Sequence, residues 1–117
     1  MNLWLVQIGN TTVGSDDDMR TLDRIRQAIH RQMYRISSHA NEEMSEDEIE
    51  AKDIEGIALT GKILRKFTRG PRGTRYEVTG KTADGRRAAI ICRFLPSGIL
   101  LIITAYAEEE QEEKKDE

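Results

Sequence analysis

The sequence predicts an α+β domain in which N-terminal helices pack on a four-stranded antiparallel meander sheet. Three observations carry this. Apolar residues in the first half of the 117-residue chain recur with a helical period. After Gly61 the period changes to that of strands. The stretches "RGPRG", "ADGRR" and "LPSG" then punctuate the second half at short intervals, as hairpin connections do.

The helices come first. In "MRTLDRIRQAIHRQMYRI", residues 19–36, Leu22, Ile25, Ile29 and Met33 form one apolar stripe. Thr21 is the expected N-cap, with Arg24, Arg26 and Arg31 outside. His30, beside the stripe, reads as a half-exposed helix residue. Ser37 or Ser38 can cap a second helix from about His39 to Asp47, with Glu42 and Glu43 in its first turn, where acids suit the helix dipole. A third helix runs from about Ala51 to Thr60 and turns Ile54, Ile57 and Ala58 inward. Gly61 is its expected stop, and Gly56 is its weakest helix former.

Then come the strands. "KILRKF" is the first. "TRYEVTGKT" alternates, with Tyr76 and Val78 on one face. "RRAAIICRF" and "GILLIITAY" are nearly continuously apolar, so both belong in the centre of the sheet. Strict alternation puts Thr104 and Tyr106 on the same face of the last strand as Leu100 and Ile102. Cys92 alternates with Ile90 and Phe94 and reads as a small buried hydrophobe.

Residues 19–107 therefore read as a single domain. Residues 1–18 end in "GSDDD" and lack the helical period that begins at Met19. Two readings of them stay open: a non-native extension ahead of a true start at Met19, or a short extra strand at "LWLVQI". The acidic tail 108–117 is expected to be disordered.

Composition excludes several classes. The single cysteine leaves no internal disulfide and no Cys-rich zinc site, and it fits a reducing, cytoplasmic setting. The N-terminus lacks the basic region and long apolar core of a signal peptide. "ILLIITAY" is far shorter than the ~20 residues a spanning helix needs, so no membrane association is expected. No His/Cys/Asp cluster stands at ligand spacing, and "GKTADG" lacks P-loop spacing. Neither metal nor cofactor is expected.

The net charge of −3 hides a strong segregation. Residues 37–61 hold eight acids against Lys52, whereas 62–94 hold ten Lys or Arg against Glu77 and Asp84. The local field of the strand half should be positive. One alternative is that the acidic helices neutralise the basic sheet within the fold.

Four blocks, "SSHANEEM" (37–44), "DIEGIALTGKIL" (53–64), "RYEVTGKTADGRRAAIICRF" (75–94) and "GILLIITAY" (98–106), carry a likeness in their order and spacing. Over residues 37–106 the chain resembles a bacterial family catalogued as domain of unknown function 4258. That family looks like a branch of small nucleases and toxins with barnase-like and RelE-like folds. The resemblance implies the toxin half of a toxin–antitoxin pair, with RNA as substrate and a cognate antitoxin protein as partner.

Metal-independent RNA cleavage uses the 2′-hydroxyl as nucleophile. It needs a base, an acid and cations for the developing phosphorane charge. His39 is the only histidine within the resemblance, and imidazole can serve in either proton role. Glu43, one turn on, can orient it or act as the base. Tyr106 can donate its hydroxyl or stack a nucleobase. The phosphate-binding candidates are Arg75, Lys81, Arg86, Arg87 and Arg93, around the hairpin after Gly80. Two further readings remain: a non-catalytic module that binds nucleic acid or protein through the basic sheet, and a partner that docks another protein by its apolar sheet face or acidic helices.

Overall fold

Ile25, Ala28 and Ile29 lie on one side of a 15-residue helix, and burying that side is what fixes the helix in place. The computed structural model describes residues 16–108, and this helix, α1 (Asp16–His30), is its first element. After it come β1 (Tyr34–Ile36), α2 (Ser38–Asp47), α3 (Ala51–Thr60), β2 (Lys62–Phe67), β3 (Arg75–Lys81), β4 (Arg87–Phe94) and β5 (Leu100–Ala107). The readings of 1–15 and of 109–117 lie outside the described residues. Asp16–Asp18, set apart by sequence, belong to the first turns of α1.

The α+β class holds, but the sheet has five strands and is mixed. Its order is β1-β5-β4-β3-β2, with β1 parallel to β5 and the other neighbours antiparallel. The extra strand comes from the end of the predicted first helix. The stripe does not run on to Met33: the helix closes at His30, with Gln32 N–H on the Ile29 carbonyl and Met33 N–H on that of Ala28. This is the double closure of a Schellman motif. Gln32 takes the left-handed position, φ 61°, that glycine usually fills, and Met33 is left exposed. Tyr34–Ile36 can then extend and pair with Leu100–Ile102. Thr21 lies inside α1 and caps nothing.

The capping of the next two helices is local chemistry. Ser37 Oγ accepts from Ala40 N at 3.0 Å, which makes Ser37 the N-cap of α2. Glu42 and Glu43 fall beyond its first turn. For α3, Glu50 and Asp53 form a reciprocal capping box. The other oxygen of buried Asp53 accepts from Ala83 N at 2.8 Å and so pins the helix start to the β3–β4 hairpin. At the far end, Arg26 of α1 donates to the carbonyls of Ala58 (2.8 Å) and Gly61 (3.2 Å), satisfying groups that a helix C-terminus leaves unpaired.

The core forms between the helices and one sheet face. Ile63, Val78, Ala88, Ile90, Cys92, Leu100, Ile102 and Ala105 meet Ile25, Ile29, Ala40, Met44, Ile54 and Ile57. Ile54, Ile57, Ile90 and Ile102 are fully buried and each contributes roughly 1.5–3 kcal/mol. Burial pushes the Cys92 thiol up to about 12, so it stays a protonated hydrophobe. None of the described helices is long and apolar enough to cross a membrane.

A bulge decides which way the end of β5 faces. Cys92 pairs with Ile102 but Ile91 pairs with Thr104, so one residue is extra on β5. Beyond it Ala105, not Tyr106, enters the core. Tyr106 therefore lies on the opposite face from Leu100 and Ile102, contrary to the strict alternation read from sequence.

The passage from α3 into β2 has no loop. Gly61 has φ −95°, an extended conformation any residue can adopt, so it is not a left-handed stop. Its reason is space: a Cβ there would sit 2.4 Å from both the Ile57 and Thr79 carbonyl oxygens. A Cβ on Gly80 would likewise lie 2.4 Å from the Ile57 oxygen. By contrast, Gly85 meets nothing and only needs its φ of 90°. Gly80→Ala should therefore cost about 3 kcal/mol in urea unfolding, and Gly85→Ala about 1 kcal/mol. Equal losses would refute the backbone contact.

Candidate nucleic-acid interface

The strand register lines up the side chains on the face away from the helices. Lys62, Thr79, Ala89 and Tyr106 form one row across β2, β3, β4 and β5. Arg65, Glu77, Ile91 and Thr104 form the next. Lys81 stands opposite Arg87, Arg75 opposite Phe67, and Arg93 opposite Leu101. None of the three described helices packs its apolar side here. Six cations of β2, β3 and β4, Lys62, Arg65, Arg75, Lys81, Arg87 and Arg93, thus share one face with Arg35 of β1 and with two acids, Glu77 and Glu108.

The acidic helices do not neutralise this face. Glu43 Oε1 accepts from Ala105 N at 3.1 Å, and Asp47 Oδ2 accepts from Ala107 N at 2.9 Å. Both helix carboxylates are thereby used on the backbone of β5, along the edge that β1 leaves uncovered. Among the described residues, no ion pair joins an acid of α2 or α3 to a cation of the sheet.

At the centre of the face sits Glu77, 3 % exposed. Tyr106 Oη donates to Glu77 Oε2 at 2.9 Å, and Arg65 Nε donates to Glu77 Oε1 at 2.8 Å. A carboxylate this buried needs such partners. Burial first, and then the hydrogen bond to Glu77, push the Tyr106 phenol up to about 12. Tyr106 is therefore a proton-bearing donor at physiological pH.

His39 lies elsewhere. It is exposed on α2, with Nε2 3.3 Å from Glu43 Oε2. The expected His39–Glu43 pair is thus formed, and Glu43 carries both the imidazole and the β5 edge. Tyr106 makes its hydrogen bond with Glu77 instead. His39 and Tyr106 so belong to two groups, one at the edge of β5 and one on its open face.

The five basic candidates also divide. Lys81, Arg87, Arg75 and Arg93 belong to the open face. Arg75 stacks over Phe67 at 5.1 Å, and Arg93 donates to the Arg72 carbonyl at 3.2 Å. Arg86 stands apart. Its Nη1 and Nη2 each donate at 2.8 Å, to the carbonyls of Asp47 and Glu48, and its Nε contacts Asp84 at 3.2 Å. It closes the C-terminus of α2, where Glu48 is left-handed with φ 58°. Sequence reasoning missed Glu77, Arg65, Lys62, Thr79 and Glu108. The one signal for Glu77 was an acid inside a strand among ten cations.

Among the described residues, no group of three or more His, Cys, Asp or Glu side chains is placed to hold a metal ion. Residues 36–107 match the model of a family described as "Domain of unknown function (DUF4258)", and the chain belongs to that family. The match takes in α2, α3 and β2 to β5 but leaves out α1. No curated protein and no solved structure matches the chain.

The Glu77–Tyr106 contact has a spectroscopic signature. A phenol whose folded value is raised from 10.0 to about 12 favours the neutral form. Its stabilising effect is complete below pH 10 and is lost as pH rises through 12. Phenolate absorbance should show a tyrosine titrating near 12, later than Tyr34, that Tyr106→Phe removes and that Glu77→Gln moves to lower pH. An unchanged late titration in Glu77→Gln would mean that Glu77 does not hold the phenol.

Proposed function

We propose that this member of the DUF4258 family is an RNA-cleaving enzyme of the toxin type, which holds RNA on the helix-free face of its sheet. The observation that carries this reading is the face itself: six cations from β2, β3 and β4 around a buried, doubly bonded Glu77. Arginine suits two-pronged contact with phosphate, and a half-buried tyrosine ring at the rim of the face can meet an unstacked base. The family assignment by itself carries no activity.

The reaction in this reading is attack of the RNA 2′-oxygen on the adjacent phosphorus. The bond to the 5′-oxygen breaks and a 2′,3′-cyclic phosphate remains. One proton leaves the 2′-hydroxyl and one arrives at the 5′-oxygen. His39, oriented by Glu43 at 3.3 Å, takes the first where the RNA strand passes from that face over the edge of β5. The Tyr106 phenol supplies the second by turning its donation from Glu77 to the leaving oxygen. Arg65, Arg87 and Arg93 face the charge that develops on the phosphorane. A cognate antitoxin would silence the enzyme by covering the same face.

A second reading, a nucleic-acid-binding module without turnover, is favoured by one observation. His39 and Tyr106 bond to different carboxylates on different elements. Cleavage separates the two. Purified protein should release fragments with cyclic phosphate ends. His39→Ala should slow this about 100-fold or more while changing RNA affinity by less than about twofold, because His39 lies apart from the cationic rows. RNA bound in a salt-sensitive way but never cut would establish the binding module.

A further inference from the structure

Where α3 runs into β2, the open face dips into a groove of about 680 Å³ lined by Thr60, Lys62, Thr79, Lys81 and Arg87. The backbones of Gly61 and Gly80 line it as well. Lys62 and Lys81 are exposed, and among the described residues neither has an ion-pair partner. Thr60 Oγ is already used, donating to Gly56 O at 2.7 Å and accepting from Lys81 N at 2.8 Å. The donors of the groove that remain are the two ammonium groups and the Arg87 guanidinium.

Thr79 and Arg87 of the groove hold a carboxylate. Glu108, the residue after β5, places Oε2 2.8 Å from Thr79 Oγ1, which donates to it, and Oε1 3.5 Å from Arg87 Nε. Its backbone N–H donates to the Arg87 carbonyl at 2.9 Å, which fixes it there. One hydroxyl and one guanidinium on the two oxygens of one anion is an arrangement that also suits two phosphate oxygens. Two unpaired ammonium groups beside an internal anion make a site half filled from within.

We infer that this groove is a subsite for a backbone phosphate of single-stranded RNA, and that Glu108 competes with that phosphate for Thr79 and Arg87. The inference rests on the RNA-binding part of the proposed function. It gives the bound strand a direction. The groove and Tyr106 share the row Lys62, Thr79, Ala89, Tyr106, so RNA runs across the strands from β2 toward β5. Three strand spacings of about 4.8 Å separate the ends of that row.

The test uses the full chain and a single-stranded 2′-O-methyl RNA oligonucleotide, which binds but lacks the attacking hydroxyl. Lys62→Ala with Lys81→Ala should weaken binding about tenfold and flatten the salt dependence by about 0.7 in slope for one phosphate lost. Glu108→Gln should tighten binding severalfold. Lys52→Ala, a lysine exposed on α3 and paired with Glu50 at 3.9 Å, should leave affinity within about twofold and controls for net charge. Unchanged binding in the double variant, or weaker binding in Glu108→Gln, overturns the subsite. Because this oligonucleotide is never cut, the result stands apart from catalysis. A double variant that loses binding in a protein that cleaves no RNA keeps the subsite and removes the enzyme.

Discussion

Two backbones touch where α3 becomes β2, and much of the molecule depends on that contact. Gly61 and Gly80 have no side chains, so the Ile57 and Thr79 carbonyls come within reach of atoms that a Cβ would displace. The helix consequently lies close over β3. Val78 and Ala88 fill what space remains, with Ile57 and Ala58 above them. Since the chain passes from helix to sheet here without a loop, α3 is committed to one face. Arg26 of α1 reaches the carbonyls at the same corner, which brings α1 to that face too. The other face is left to side chains, and the groove opens there beside the same corner.

Charge is distributed by this layering. In sequence, an acidic block and a basic block lie next to each other and invite the idea that they cancel. In the fold they hardly meet. Asp53, Glu43 and Asp47 accept from backbone N–H groups of Ala83, Ala105 and Ala107. A carboxylate that satisfies a strand edge is occupied in another task than neutralising an arginine. Most of the cations were placed by strand parity on the far side. Arg86 crosses over, and it binds carbonyls rather than carboxylates of α2.

Local chemistry was legible in the sequence, and distant contacts were not. Ser37 as a cap, the limits of α3 and the four long strands are all set by neighbours within a few residues. The missed strand had no such marker. "HRQMYRI" continues a helical stripe, and the break falls at Gln32, which takes the left-handed turn without being glycine or asparagine. The bulge in β5 was equally silent, because an extra residue in a run of Leu, Ile and Thr leaves the composition unchanged. It moved Tyr106 to the other face and gave it Glu77, 29 residues away, as partner. His39 and Glu43 were read correctly as neighbours, since four residues along a helix bring side chains together. That Glu43 also serves Ala105 is a contact across 62 residues that no spacing reveals.

The sheet ends in two different ways. On one side, β1 pairs with only the first three residues of β5, and Ser37, Glu43 and Asp47 then take up the exposed carbonyl and N–H groups beyond it. On the other, β2 presents Lys62, Arg65 and Lys66 and is interrupted by an irregular register at Ile63 and Arg65. Lysines and bulges on an outer strand discourage another chain from adding itself as a further strand. The β2 border and the stretch of β5 beyond β1 are thus guarded against an added strand. Along these stretches recognition falls to side chains above the sheet rather than to the backbone.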